Sequence, residues 1–354
     1  MPDEKREIKG EYFMLIEVEP IQLETLHTFK IARGERKRYE NFVFRITYEN
    51  VTGIGEASPQ QYYGESSNTV NEAVRRISKL LEGEPKELRE RLFTGDLREQ
   101  LKEDASVRAA IDMALWDIEG KIAGKACYDL LSLDPQKAPV TSYTIGFDRP
   151  EVIDRKLDEA VDFPILKMKM GIPGDIALLD RAIQRTGKKI RVDANEGWDL
   201  DTALHIGKEL AERGIEFMEQ PISHHKREDL KTLKRLAPLP VVLDESIIDP
   251  DDVPRCKDLG HGINIKLTKC GGMTPALALI EEARNAGMSV MLGCMIETSI
   301  GITAAAHLSP LADYADLDGN LLLAYDPFEG VQVDKGKLVL GKEPGLGVVR
   351  RDAD

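Results

Sequence analysis

Three acidic residues recur in the second half of the chain at nearly constant spacing. Asp193, Glu219 and Asp244 stand at almost equal intervals, and each follows a short apolar run typical of a buried strand. Clustered carboxylates raise one another's pKa unless a cation joins them. Because the sequence places no His or Cys beside them, an all-oxygen site favours Mg²⁺ over zinc or copper. We expect one Mg²⁺ site, with the adjacent Asn195 and Glu245 supporting its ligands.

Two lysine pairs continue the same spacing. Lys167 precedes Asp193 by one such interval, and Lys169 lies two residues after Lys167. Lys269 follows the last acid by one interval, with Lys266 shortly before it. Residues two apart on a strand point to the same side, so an apolar strand would aim two amines at one place. Amines on both sides of a metal-bound carboxylate could remove an α-proton from one face and return one on the other.

Repeating elements are needed to position these groups. From about residue 139, short apolar segments alternate with helix-like sequence, which predicts an α/β fold with a TIM-type (β/α)8-like barrel and its active site at the carboxyl ends of the strands. Strands 2 and 6 of such a ring face each other, so the lysine pairs would flank the metal. The eight strand candidates are residues 141–147, 165–171, 189–195, 215–221, 240–246, 263–272, 288–298 and 312–319.

The N-terminal part of the chain has a different pattern. Strand-like alternation at 11–19, 40–48 and 51–56 gives way to helical spacing over 68–131, including a helix expected at 107–124. This order predicts an α+β module. We expect three parts: the N-terminal α+β module at 1–135, the barrel at 136–320, and a closing segment at 321–354 that returns to the first module.

Composition restricts the partners. The net charge of −14 argues against a nucleic-acid ligand, which calls for a basic face. The 354 residues contain no apolar run of 18 and no signal-peptide pattern at the start, so no membrane partner is expected. The four cysteines are scattered, as in reduced proteins, and indicate a cytoplasmic location.

Six motifs carry a resemblance to a known family: KMK (167–169), VDAN, EQP, LDES, NIKLTKCGG (264–272) and GIGEAS (53–58). Together they resemble the enolase superfamily, muconate-lactonizing enzyme subgroup. The resemblance implies that the N-terminal module caps the barrel mouth and that the protein is a homo-oligomer. It also implies that the three acids bind one Mg²⁺ per subunit, that Lys169 and Lys269 are the acid/base pair, and that Lys167 contacts the substrate carboxylate.

A DLD motif on the eighth strand points to one branch of that family. Asp316 and Asp318 would face the same way and bind a cation several bonds from the substrate carboxylate. A DxD here resembles the dipeptide epimerases, where it binds the free α-ammonium of a dipeptide. By the same resemblance, Thr144, Cys294 and Ile296 line the substrate site.

Two segments of the capping module are expected to be loops that close over the substrate. The first, around 25–36, carries Lys30, Arg33 and Arg36, and the second is 62–68. In the epimerases that act on Ala-Glu, an Arg in the first loop holds the glutamate carboxylate. Arg33 lies next to the matching position and is the expected contact.

The predicted function is therefore a Mg²⁺-dependent dipeptide epimerase of the L-Ala-L/D-Glu type. It would invert the α-carbon of the C-terminal residue by two-base 1,1-proton transfer through a metal-stabilised enediolate. Alternatives within the family are an o-succinylbenzoate synthase or a muconate-type cycloisomerase. Alternatives of other classes are a Schiff-base aldolase and a non-catalytic metal- or ligand-binding barrel.

Overall fold

A three-stranded antiparallel sheet opens the chain, and helices follow it. The structure, a computed structural model, describes residues 14–351. The sheet has the order β1-β2-β3, with β1 at Leu15–Ile31, β2 at Gly34–Tyr48 and β3 at Val51–Ala57. The helices are α1 (Ser67–Ile77), α2 (Pro85–Thr94), α3 (Asp96–Gln100), α4 (Ala105–Ala123) and α5 (Cys127–Leu130). The expected α+β module is present, although residues 11–13 of its first predicted strand lie outside the described range.

Helix α4 packs unusually closely on β3, and two glycines allow it. A Cβ added at Gly53 would lie 2.0 Å from the Ala114 carbonyl oxygen, and one at Gly55 would lie 1.9 Å from that of Ala110. A larger residue at either position would force the helix away from the sheet. The helix ends at Gly124, whose φ of 64° is left-handed, as the sequence predicted from a glycine near the end of the helical pattern.

Eight parallel strands form the barrel, so the predicted fold class is confirmed. They pair in chain order, and a bridge between Thr141 and Ala315 joins the last strand to the start of the first. The strands are β4 (Tyr143–Ile145), β5 (Ile165–Lys169), β6 (Lys189–Asp193), β7 (Met218–Glu219), β8 (Val241–Leu243), β9 (Gly262–Lys266), β10 (Ser289–Gly293) and β11 (Tyr314–Asp316).

Helices follow the first seven barrel strands, while β11 leads into the closing segment. They are α6 (Pro150–Glu159), α7 (Asp175–Thr186), α8 (Leu200–Glu212), α9 (Arg227–Leu236), α10 (Asp252–Cys256), α11 (Leu267–Cys270), α12 (Met273–Asn285) and α13 (Ser299–Leu308). Within residues 14–351, no helix combines the length and apolar character needed to cross a membrane.

The sixth barrel strand is shorter than the sequence predicted. The apolar pattern predicts one strand over 263–272, but β9 ends at Lys266 and the short helix α11 follows. Lys266 pairs with Gly293, the last residue of β10, so β10 offers no residue with which a longer β9 could pair. Lys269 is therefore on α11 and not on the strand, which corrects its predicted position.

The closing segment contacts the capping module through its described part, which ends at residue 351. It contains β12 (Phe328–Glu329), β13 (Gln332–Asp334), β14 (Lys337–Val339) and β15 (Val349–Arg350). The Arg350 guanidinium bonds both carboxylate oxygens of Glu19 on β1, at 2.8 and 2.9 Å. An apolar cluster also joins β1, β2, α13 and this segment. These contacts hold the capping module over the barrel mouth.

The two segments predicted as loops are ordered elements. Residues 25–36 form the tip of the β1–β2 hairpin, with a register shift between Glu24 and Phe29 and a two-residue turn before Gly34. The Leu26 amide donates to the Leu322 carbonyl at 2.9 Å, which ties this tip to the closing segment. In the second segment, residues 61–63 form a 3-10 turn and the Ser66 side chain caps α1.

Candidate active site

Three buried carboxylates converge at the carboxyl ends of neighbouring barrel strands. Asp193 and Glu219 end β6 and β7 and are direct partners in the ladder, and Asp244 follows β8. Each offers an oxygen atom that lies within 4.8 Å of the others. Among residues 14–351 this is the one group of His, Cys or acidic side chains with such spacing. Strand register therefore brings together the acids that sequence spacing had singled out.

Two neighbouring amides hold these carboxylates in position. The Asn264 side-chain amide donates to Glu219 at 2.7 Å, and the backbone N–H of Asn195 donates to Asp193 at 2.9 Å. Asn195 was predicted as a support, whereas Asn264 was missed. The sequence does contain a sign of this role: Asn264 lies two residues before Lys266 on the same strand, so the two side chains point to the same side.

The electrostatics of the three acids explain why a cation fits here. Burial and the adjacent Asp193 charge raise the pKa of Glu219 to about 7. Burial also opposes ionisation of Asp193 and Asp244, but the Lys169 and Lys266 ammonium groups beside them lower both pKa values. A cation would reduce the repulsion that raises the pKa of Glu219, and the oxygen-only donors of the cluster match the preference of Mg²⁺.

Lys167 and Lys169 both point into the barrel mouth, as their spacing predicted. The Lys167 ammonium lies 2.6 Å from Glu219, 2.7 Å from Asp316 and 3.2 Å from Asp193. Burial alone would lower the pKa of Lys167, but these three carboxylates outweigh it and raise the pKa well above its usual value. Lys169 lies 2.6 Å from Asp193. Each buried charge therefore has a partner of opposite sign.

The other lysine pair divides between two environments. The Lys266 ammonium lies 2.8 Å from Asp244 and faces the same cavity as the strand-2 lysines. The Lys269 ammonium lies 2.5 Å from the Asp244 carboxylate and donates to the carbonyls of Asp244, Ile247 and Asn264 at 2.6, 3.0 and 3.3 Å. An ammonium has only three protons. Protein oxygens therefore occupy all the donors of Lys269, and it borders a different cavity.

A cavity of about 390 Å³ lies between the capping hairpin and the barrel mouth. The residues predicted to bind substrate all border it, together with apolar and aromatic residues of the hairpin. From the barrel come Thr144, Lys167, Lys169, Asp244, Lys266, Cys294, Ile296, Asp316 and Asp318, and from the capping module Phe29, Ile31, Arg33, Arg36, Tyr39 and Tyr62.

Asp316 and Asp318 differ in their partners. Asp316 accepts a hydrogen bond from the Ser142 hydroxyl at 2.7 Å in addition to its contact with Lys167. Asp318 accepts from the backbone N–H of Thr144 at 2.5 Å, and no ammonium or guanidinium among the described residues pairs with it. Burial and the nearby Asp316 charge raise the pKa of Asp318 to about 7. Asp318 is thus the acid on this wall that lacks a cation.

Two arginines border the cavity, and one of them is already engaged. Arg33 lies 2.5 Å from the Glu245 carboxylate, and its guanidinium is 4.3 Å from the centre of the Tyr62 ring. Arg36 lies over the Tyr39 ring at 4.9 Å and makes no ion pair within residues 14–351. The contact of Arg33 with the substrate stays a prediction, since Arg33 borders the cavity but is engaged with Glu245. Arg36 borders the same cavity without an acidic partner in that range.

Glu56, in the motif GIGEAS, connects the capping module to the wall of the cavity. Its buried carboxylate accepts from the backbone N–H and hydroxyl of Thr298 at 3.0 and 2.7 Å, and from the Asn41 amide at 2.8 Å. Thr298 follows the cavity residue Ile296. Sequence reasoning recognised the motif but not this contact, because Glu56 and Thr298 lie far apart along the chain.

Two family models match the chain. The model "Enolase C-terminal domain-like" matches residues 151–353, and "Mandelate racemase / muconate lactonizing enzyme, N-terminal domain" matches residues 16–132. The first covers the barrel strands that carry the acids and lysines. The second covers the sheet and helices of the capping module.

Similar proteins cover nearly the whole chain. An L-Ala-D/L-Glu epimerase from Bacteroides thetaiotaomicron is 39% identical over 94% of this chain and 86% of its own length. A dipeptide epimerase from Enterococcus faecalis V583, solved with Mg and L-Leu-L-Tyr, has a TM-score of 0.87 at 30% identity, covering 96% of this chain and 99% of its own. One from Methylococcus capsulatus, solved with Mg and L-Arg-D-Lys, has the same TM-score and identity, covering 96% of this chain and 100% of its own.

The predicted resemblance is therefore confirmed by sequence and by fold. The chain belongs to the enolase superfamily, in its mandelate racemase / muconate lactonizing enzyme group, and is an isomerase related to the dipeptide epimerases.

Proposed function

We propose that the protein is a Mg²⁺-dependent dipeptide epimerase that inverts the α-carbon of the C-terminal residue. The observation that carries this proposal is one cavity with three kinds of group around it. Lys169 and Lys266 border it from strands 2 and 6 of the ring, the carboxylate cluster lies at one end, and Asp318 lies on the wall formed by strand 8. This arrangement suits a substrate with a carboxylate, an acidic α-proton and an ammonium group.

Asp193, Glu219 and Asp244 would hold the Mg²⁺ ion. A bound ion would neutralise part of the negative charge of the substrate carboxylate and so make the α-proton more acidic. Lys169 and Lys266 then act at the α-carbon, one removing the proton and the other supplying a proton to the opposite face.

This assignment replaces Lys269 with Lys266 as the second acid/base group. Lys266 borders the cavity, whereas the donors of Lys269 are directed at protein oxygens. We assign Lys269 to fixing Asp244 and the following turn. Lys167 borders the cavity between the carboxylate cluster and Asp316, so its charge is placed to attract the substrate carboxylate.

The free N-terminal ammonium of a dipeptide would pair with Asp318 and Asp316. A cation beside Asp318 would favour its ionised form and offset the cost of burying that carboxylate. Substrates of an o-succinylbenzoate synthase or a muconate-type cycloisomerase carry no ammonium group. Those alternatives leave the second acid of this wall without a partner.

The side chain of the C-terminal residue would lie toward the capping hairpin. We propose that it is acidic, as in Ala-Glu, because Arg36 borders the cavity there and has no acidic partner among the residues that the structure describes. Phe29, Ile31 and Tyr39 of the same wall can contact the methylene groups of such a side chain. The four free cysteines fit the further proposal of a cytoplasmic enzyme, which we expect to be a homo-oligomer.

A panel of dipeptides tests the function. Purified protein with Mg²⁺ is incubated with L-Ala-L-Glu, L-Ala-L-Leu, L-Ala-L-Lys and N-acetyl-L-Ala-L-Glu, and the diastereomers are separated by chromatography. We expect epimerisation of the free dipeptides, fastest for L-Ala-L-Glu, much slower epimerisation of the N-acetylated dipeptide, and loss of all epimerisation on chelation of the metal. No new diastereomer from any free dipeptide, with folded and Mg²⁺-loaded protein, would overturn the proposal.

A further inference from the structure

We propose that the protein binds a small oxyanion, of the phosphate or carboxylate class, in a second cavity next to the active site. This cavity has a volume of about 650 Å³ and is bordered by both the capping module and the barrel. It shares Tyr62, Tyr63 and Glu245 with the first cavity. An anion held here would join the two modules, and its binding does not depend on the activity proposed above.

Arg108 is the main reason for expecting an anion. It borders the cavity from the first turn of α4 and is only 7% exposed. Its Nε is buried without a hydrogen-bond partner, and its guanidinium makes no ion pair or hydrogen bond to any residue between 14 and 351. Other shielded guanidinium groups are paired, for example Arg191 with Glu216 at 2.7 Å. An uncompensated buried cation is costly unless a ligand supplies the counter-charge.

Helix α4 adds a second, independent feature. Its 19 residues begin at Ala105, which also borders the cavity. The first turn contains no acidic residue, and the N-cap Asp104 makes no side-chain capping hydrogen bond. The start of a helix favours anions because its N–H groups point outward and the helix dipole is positive there. At this end the Ser106 backbone N–H already donates to the Glu65 carboxylate at 2.8 Å, so Arg108 supplies the main positive charge that remains for an anion.

An unused hydroxyl group borders the same cavity. Thr268 is 2% exposed, and its Oγ1 has no hydrogen-bond partner in the described residues. A hydroxyl can donate to an oxyanion. Gly271, three residues later, leaves room for the arginine, because a Cβ at that position would lie 3.1 Å from Arg108 Nε. The barrel side of the cavity thus supplies a donor and the space that the guanidinium occupies.

Acidic residues also border the cavity, and one of them, Glu65, occupies an N–H group in the first turn of α4. Glu65 accepts from the Ser106 backbone N–H at 2.8 Å, and burial raises the pKa of this carboxyl group to about 7. Glu245 is paired with Arg33 at 2.5 Å. Glu103 is exposed to solvent. None of these carboxylates lies within ion-pair distance of the Arg108 guanidinium, so its charge is left for a ligand.

Three other charged side chains of the wall, those of Asp252, Lys269 and Arg227, are engaged with protein groups. Asp252 accepts two backbone N–H groups at 3.0 Å each. The Lys269 ammonium is held by Asp244 at 2.5 Å. Arg227 donates to the Cys256 sulfur and to a backbone carbonyl. Arg227 therefore provides a matched control: an arginine on the same wall whose donors already have partners.

The test compares the full-length, Mg²⁺-loaded wild type with Arg108→Met and Arg227→Met. Inorganic phosphate and malonate are added separately at constant ionic strength, and binding is measured by calorimetry and by the shift in Tm. We expect at least one anion to raise the wild-type Tm by about 2–4 °C at saturating concentration. We expect Arg108→Met to bind it at least about tenfold more weakly, while Arg227→Met keeps wild-type binding. Whichever anion binds more tightly identifies the class.

The stability of Arg108→Met keeps the test decisive. Replacing an unpaired buried cation with an apolar side chain of similar length should leave the ligand-free Tm unchanged or higher. Thr268→Val provides a second variant and should weaken anion binding several-fold with Arg108 intact. Absence of a Tm shift and of binding heat in the wild type with both anions, or equal binding by wild type and Arg108→Met, would overturn the proposal.

Discussion

The barrel mouth and the capping hairpin form two walls of one cavity, but they are built differently. At the mouth, Lys167, Lys169 and Lys266 of strands 2 and 6 lie 2.6 to 2.8 Å from the clustered carboxylates. At the hairpin, Arg36 lies over an aromatic ring and has no acidic partner in the described residues. The mouth is a fixed electrostatic network, whereas the hairpin leaves a charge available to the substrate.

This difference separates chemistry from selectivity. Groups held by strand register are preorganised and act on the atoms common to all dipeptides. A guanidinium on the hairpin meets only the variable side chain. Substitutions at the mouth should therefore lower kcat for every substrate, and substitutions at the hairpin should change KM for some substrates and not for others.

The largest effect is expected at the carboxylate cluster. Glu219→Gln removes a proposed metal ligand, so activity should fall by at least about 10³-fold with every dipeptide. Measurement of kcat across a Mg²⁺ titration checks this result. Glu212→Gln, an exposed change on α8, serves as the control. Full activity of Glu219→Gln at ordinary Mg²⁺ concentrations would remove this residue from the metal site.

The second prediction distinguishes Lys266 from Lys269. Lys266→Ala should lower epimerisation by about 10³-fold with little change in Tm, because it removes a proton carrier. Lys269→Ala should instead lower Tm by several degrees, since buried carbonyls lose their donor, and change kcat of the folded enzyme by less than about tenfold. Both kcat and Tm are measured for each variant. The opposite pattern would restore Lys269 as the acid/base group.

A smaller effect is expected at Asp318. Asp318→Asn removes the charge proposed to hold the substrate ammonium, so KM for a free dipeptide should rise by about tenfold to thirtyfold. The N-acetylated dipeptide has no ammonium, and its slow turnover should be nearly unchanged. Steady-state kinetics with the two substrates provides the comparison. An equal loss for both would indicate that Asp318 only shapes the wall.

The smallest effect is expected at the hairpin. Arg36→Gln should raise KM for L-Ala-L-Glu by about threefold to tenfold and leave that for L-Ala-L-Leu within about twofold, because this ion pair is partly screened by solvent. Arg38→Gln, an exposed change on the same strand, is the matched control. If both variants keep wild-type KM values for L-Ala-L-Glu, the glutamate carboxylate has another partner.

The same contrast explains what could be predicted from the sequence. The spacing of Asp193, Glu219 and Asp244 predicted their convergence, because each barrel strand returns the chain to the same rim after one βα unit. The two-residue period of a strand predicted that the side chains of Lys167 and Lys169 face the same way. Both regularities depend on spacing along the chain, so they can be recognised in a single sequence.

The errors occurred where distant contacts decide the structure. The sequence predicts a loop over 25–36, yet residues 29–31 pair with residues 34–36 across the hairpin, and Leu26 hydrogen-bonds to Leu322. The apolar pattern around Lys269 continued past the end of β9, because hydrophobicity does not show where a neighbouring strand stops. Two consecutive glycines with positive φ, Gly271 and Gly272, were the local sign that the strand had already ended.

The central claim is that Lys169 and Lys266 exchange protons on opposite faces of one α-carbon. Proton NMR in D₂O, with Mg²⁺ and each pure diastereomer of Ala-Glu, tests it most directly. In the wild type, deuterium should enter the C-terminal α-position of both diastereomers as they interconvert. Each single lysine-to-alanine variant should lose epimerisation but still exchange the diastereomer whose α-proton faces the remaining lysine. Continued epimerisation in Lys266→Ala, or no exchange by the wild type, would contradict the account.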